Sequence, residues 1–78
     1  MNKQNFSDIV HNELQKRGWS YRDAEKILGV QKDVFTRIKY QQEINLFSFL
    51  TLCEWLNKIC GISWKEIMED EKEEIGKI

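Results

Sequence analysis

The 78-residue sequence predicts an all-α domain, a compact bundle of five α-helices around one core. Three observations carry that expectation. Apolar residues recur at helical spacing along most of the chain, proline is absent, and no segment alternates apolar with polar at period two. Connections between the periodic segments are short, which leaves few arrangements other than a bundle. With 41% hydrophobic residues the chain reads as globular, one domain over 1–78 with an ordered core at about 5–70 and an acidic tail at about 69–78.

The first helix is expected from about Phe6 to Arg17, with Phe6, Ile9, Val10 and Leu14 on one face and Asn5 or Ser7 as cap. Lys16 and Arg17 suit its C-terminal dipole, and Gly18 suits a left-handed exit. Ser20 followed by Asp23 has the form of a capping box, so a second helix runs from there to about Leu28. Gly29 permits the positive φ of a tight turn. The third helix spans about Gln31 to Tyr40. A fourth starts after Asn45 and continues to about Leu56, with Leu46, Phe49, Leu50, Cys53 and Leu56 turned to the core. Ile59 and Ile62 lead to Ser63, which with Glu66 makes a second capping signature, and the fifth helix carries Ile67 and Met68. The expected core is Phe6, Leu14, Ala24, Leu28, Val30, Phe35, Ile38, Leu46, Phe49, Leu50, Cys53, Leu56 and Ile67.

The stretch GWSYRDAEKILGVQKDVFTRI, Gly18 to Ile38, is the most specific part of the chain. Apolar or small residues at Ala24, Leu28, Val30, Phe35 and Ile38 around a glycine describe a helix-turn-helix, whose second helix can be laid in the major groove of DNA. Phe35 and Ile38 mark the buried side of that helix. Asp33, Thr36, Arg37 and Tyr40 then point away from it, with Gln31 and Lys32 at the exposed first turn. These side chains can read base edges: Arg37 bidentate to guanine, Gln31 to adenine, Thr36 against a thymine methyl, and Asp33 accepting from cytosine. Val34 lies at the flank, within reach of a methyl group. An ordinary solvated helix face has the same polar character, so spacing by itself does not separate the two.

Charge is neutral evidence. The net charge is −1, made of +2 over residues 1–60 and −3 over 61–78. The acid is concentrated in EDEKEEIGKI, and phosphate attraction is screened within ~8 Å at physiological salt, so a distant acidic tail weakens DNA binding without excluding it. Other chemistries lack a pattern. His11 is the single histidine, with no neighbouring acid or nucleophile, and Cys53 and Cys60 do not make a zinc site by spacing. The cysteines read as buried thiols of a reducing compartment, and Trp19, Trp55 and Trp64 as packing residues. No apolar run approaches the ~18 residues of a membrane span and the N-terminus is polar, so a cytoplasmic protein is expected, not an enzyme, with neither metal nor cofactor.

On GWSYRDAEKILGV, DVFTRIKY and NLFSFLTLCEWL the chain resembles the XRE-type helix-turn-helix domain of phage Cro and repressor proteins and their bacterial relatives. The resemblance covers about Phe6 to Met68. It implies a phage-repressor-like bundle and a sequence-specific regulator of transcription, a repressor encoded by a phage or mobile element, whose partner is double-stranded DNA. It further implies phosphate contacts from Ser20, Tyr21, Arg22, Gln42 and Asn45 around the starts of the second and fourth helices. The chain departs from the family pattern at four places. Glu25 replaces a small residue where the two helices approach, Gln41 replaces a glycine after the recognition helix, and Ile44 replaces a proline before the fourth helix. Gln31 replaces a serine or threonine cap, at a local cost of ~1 kcal/mol.

Relatives of this kind bind palindromic sites as two-fold dimers, with half-sites ~34 Å apart. The candidate homodimer contact is the C-terminal third, where Trp55, Ile59, Ile62, Trp64 and Met68 offer more apolar surface than one small core needs. A competing class is a protein-interaction module or inhibitor that keeps this fold and has lost DNA binding. Asp33 on the reading face, Glu25 and the acidic end favour a protein partner of that kind.

Overall fold

The structure, a computed structural model, describes residues 2–68; the acidic tail anticipated at 69–78 lies outside the described residues. Five helices and no strand occur among them: α1 (Lys3–Arg17), α2 (Tyr21–Leu28), α3 (Lys32–Lys39), α4 (Leu46–Glu54) and α5 (Trp64–Ile67). A π-helical turn, Trp55–Ile59, extends α4. The all-α expectation holds.

Helix ends follow local hydrogen-bonding chemistry. α1 starts earlier than expected because Asn2, rather than Asn5 or Ser7, is its cap, accepting from the Gln4 and Asn5 amides at 2.9 and 3.1 Å. It ends where Gly18 turns left-handed (φ 69) and the Trp19 amide reaches back to the Leu14 carbonyl at 3.0 Å. The Ser20–Asp23 capping box forms in both directions, each bond 3.1 Å. Those bonds, the backbone amide first, hold the Asp23 carboxyl below its ordinary value. Gln31 stands at the N-cap of α3 without a side-chain bond. Asn45 and Ser63 cap α4 and α5 by accepting from the Ser48 and Glu66 amides.

Residue 41 explains a departure from the resembled family. The Gln42 amide donates to the Arg37 carbonyl at 2.7 Å and the Gln41 amide to that of Ile38 at 3.0 Å, which is a Schellman ending of α3. Such an ending needs a left-handed residue, and Gln41 supplies it at φ 54. Its side chain helps to hold the strained backbone by donating to Gln4 Oε1 at 2.8 Å and the Lys39 carbonyl at 3.2 Å. Gln41→Gly is therefore expected to be about 1 kcal/mol more stable than Gln41→Ala in urea denaturation, since both lose the side-chain bonds and one loses the strain.

The core is formed by α1 against α3 and α5, with α2 and α4 closing it. Phe6, Leu14, Ala24, Val30, Phe35, Ile38, Cys53, Leu56 and Ile67 are buried as expected. Leu28 and Phe49 are only partly buried, while Val10, Val34, Leu52 and Trp55 join the core. The largest difference is on α4. Leu46 and Leu50, expected inside, are 70% and 47% exposed. The inward face is Ser48, Leu52, Cys53 and Leu56, rotated by roughly 80° at 100° per residue from the face the spacing suggested. LFSFLTLCEWL is apolar on almost every side, so periodicity does not choose between faces. The π turn, closed by the Cys60 amide on the Trp55 carbonyl at 3.1 Å, lets adjacent Trp55 and Leu56 both turn inward.

One buried charge ties α1 to the aromatic end of the core. Burial pushes the Glu13 carboxyl up, but hydrogen bonds from Arg17 at 2.6 Å and Lys16 at 3.3 Å outweigh it and hold the group below its ordinary value of 4.5. The Arg17 guanidinium also lies 5.8 and 5.5 Å from the ring centres of Trp19 and Trp55, which stack on each other. A carboxyl depressed in the folded state stabilises above its unfolded pKa, and that stability is lost as pH falls through the folded value. Stability should therefore drop below about pH 4.5, and Glu13→Gln should flatten that acid slope. An unchanged slope in urea titrations at pH 3–5 would remove this role from Glu13.

Candidate nucleic-acid interface

The candidate surface is built on α3. Val34, Phe35 and Ile38 anchor the helix in the core, and the Phe35 ring stacks on Tyr21 of α2 with centroids 5.5 Å apart. Gly29, left-handed at φ 76, and buried Val30 bring the chain from α2 into α3 within three residues. With that side fixed, Lys32, Asp33, Thr36 and Arg37 are exposed on the outer side of α3, and its cap residues Gln31 and Tyr40 are exposed at the two ends. Val34 is the correction here. It was expected at the flank of this surface but is buried, because it stands one turn from both Val30 and Ile38 on the inner side.

Two of the six interact with each other. Arg37 Nε lies 3.9 Å from Asp33 Oδ2 one turn earlier, and Arg37 Nη1 donates to the Glu43 carbonyl at 3.4 Å. Both side chains are more than half exposed, so the pair contributes only about 0.3–0.5 kcal/mol and does not hold Arg37 away from a stronger acceptor. Lys39 and Lys26 are further exposed cations on α3 and α2 that the sequence reading passed over. A tally of charge on the outer sides of both helices would have found them.

The phosphate candidates divide. Ser20, Arg22, Gln42 and Asn45 are exposed. The Asn45 side-chain oxygen accepts the Ser48 amide at 2.7 Å, which leaves its NH₂ as the group that can donate outward. Tyr21 is half-buried and turned inward, its hydroxyl 2.7 Å from His11 Nε2. His11 Nδ1 is 2.9 Å from the Ser7 carbonyl, which can only accept, so Nδ1 is the donor of that bond. His11 thus links α1 to the start of α2. Glu25 is half-buried.

The five proposed dimer residues do not form one exposed face. Trp55 is 6% exposed and stacked on Trp19 with centroids 5.8 Å apart, so it is removed from the candidate contact. Ile62 and Met68 pack partly buried against the core, leaving Ile59 and Trp64 as the exposed members. Desolvation pushes Cys53 and Cys60 up to about 11, which keeps both thiols protonated and poor as nucleophiles or ligands. Among the described residues no group of three His, Cys, Asp or Glu could hold a metal, and no helix is long and apolar enough to cross a membrane. No protein-family model, curated protein or solved structure matches the chain.

Proposed function

We propose that the chain is a sequence-specific DNA-binding regulator that acts in the cytoplasm, in which α2, the Gly29 turn and α3 serve as a helix-turn-helix. One observation supports the reading above the rest. Lys32, Asp33, Thr36 and Arg37 of α3 and its flanking caps Gln31 and Tyr40 are all exposed, while Val34, Phe35 and Ile38 lock the other side of that helix into the core. Side chains on α3 specify bases, while Ser20, Arg22, Gln42 and Asn45 set register on the phosphates. No covalent step is involved: repression follows from occupying DNA that polymerase needs, and a two-fold dimer doubles the sequence read.

Selection of the full chain on randomised duplex DNA tests the reading. It is expected to enrich a palindromic motif whose affinity falls steeply with salt. Failure to enrich any motif, with no binding at low salt, would sink it. The Asp33–Arg37 contact favours the second reading, a protein-interaction module on the same fold, because it places an acid beside the main guanine-reading candidate. That reading expects a stoichiometric protein partner on co-purification and no nucleic acid.

A further inference from the structure

The cations of the chain differ in how firmly a carboxylate holds them. Lys16 and Arg17 share buried Glu13 at 3.3 and 2.6 Å, and Lys58 pairs with Glu54 one turn earlier at 3.9 Å. The last turn of α3 is different. Lys39 has no carboxylate within ion-pair distance among the described residues, and Arg37 has only the exposed Asp33 at 3.9 Å. The start of α1 stands beside this turn, where Gln41 reaches Gln4 at 2.8 Å. That helix end is itself positive, with Lys3 as its first residue and no acid in its first turn. Lys3 and Arg37 both meet Glu43, through its carboxylate and its carbonyl at 3.4 Å each. Three cations thus gather at one corner around an acid that is 91% exposed and weakly held.

The acidic end of the chain leaves the fold next to that corner. The Glu66 carbonyl of α5 accepts from Asn5 Nδ2 at 3.0 Å, one residue from Gln4. Three positions later begins Glu69-Asp70-Glu71-Lys72-Glu73-Glu74, five carboxylates against one lysine, a net charge of −4. The route from Glu66 through Asn5, Gln4 and Gln41 to Lys39 is on the order of 25 Å, and the eight residues from 66 to 74 reach about 26 Å when extended.

We propose that residues 69–74 fold back onto the last turn of α3 and cover Lys39 and Arg37, so that the chain masks its own candidate DNA surface. Charge and tether select this occupant. Exposed ion pairs are individually weak and screened by salt, so a separate acidic partner at micromolar concentration would hold little. A segment joined to α5 by a few residues acts at a millimolar effective concentration, where weak pairs suffice. Arg37 is also the guanine-reading candidate and Gln42 a phosphate candidate, so tail and duplex compete for one corner. The contact stands on charge and reach; its regulatory consequence rests on the DNA reading.

Amide shifts of the full ¹⁵N-labelled chain, without DNA, test the contact. A second full chain carries Glu69→Gln, Asp70→Asn, Glu71→Gln, Glu73→Gln and Glu74→Gln, which keeps the length and removes the charge. At about 20 mM salt the two should differ most at residues 3–5 and 37–42, and at about 500 mM the difference should vanish. In a Lys39→Glu background the same tail change should move residues 37–42 much less. Duplex affinity of the neutralised chain should rise about fivefold or more at low salt. Shift differences confined to residues beyond 63, or spread evenly over exposed amides, would overturn the proposal even if duplex binding tightened, because loss of net charge alone gives that. Duplex binding by neither chain, with the shift differences present, would uphold the contact and sink the regulator reading instead.

Discussion

Leu52→Ala is expected to cost about 2–5 kcal/mol of unfolding free energy, whereas Leu46→Ala, measured at low micromolar concentration, should cost under about 0.5 kcal/mol. Both residues are leucines of α4, six positions apart, and the difference follows from which way the helix faces. Leu52 is fully buried, so truncation removes its packing and leaves a void that a small core cannot fully close. Leu46 is mostly in water already and has little transfer free energy to lose. A domain of this size is stable by roughly 4–12 kcal/mol, so the first substitution removes a large share of the total. Urea denaturation of the two variants reads the difference directly. Equal losses would mean that α4 is seated as the sequence pattern suggested, with Leu46 and Leu50 inward.

Legibility of the sequence tracked how strongly each segment contrasts its two sides. α2 and α3 carry polar residues between well-spaced apolar ones, so their limits, the turn at Gly29 and their outer surfaces apart from buried Val34 were readable. Capping signatures at Ser20, Asn45 and Ser63 located three helix starts because a short side-chain acceptor has a local partner two or three residues on. α4 offered no such contrast. Its orientation is settled by tertiary packing, with Phe6 against Phe49 at 5.3 Å and Trp19 against Trp55 at 5.8 Å. Those are contacts between residues far apart in the chain, and no local pattern encodes them. Contacts across helices were equally hidden. His11 showed no neighbour in sequence, yet it meets Tyr21 across α1 and α2, and Gln41 meets Gln4 across 37 positions.

Arg37→Ala is expected to reduce affinity for the preferred duplex by about five- to 150-fold, or roughly 1–3 kcal/mol, and to relax discrimination at a single base position. Arg37 is the one side chain on the outer surface of α3 with a planar fork that can match the two acceptors of guanine. Its present partner, Asp33, is exposed and held only loosely, so little is given up when it turns to a base. Lys39→Ala should act differently, weakening all sequences alike and lowering the salt slope by about one. Asp33→Asn should strengthen binding to unrelated duplexes by removing repulsion from phosphate. Titration of each variant against the preferred and a scrambled duplex, at two salt concentrations, separates these outcomes. An Arg37→Ala effect no larger than that of Lys39→Ala, with unchanged sequence preference, would leave Arg37 as a phosphate contact only.

The most direct test of the central claim is a map of backbone amide shifts in the uniformly ¹⁵N-labelled chain as the selected duplex is added. The account predicts that the largest perturbations fall on residues 31–40, with smaller ones at Ser20, Arg22, Gln42 and Asn45. Perturbations confined to α4 and α5, or no change at any duplex concentration in low salt, would contradict it.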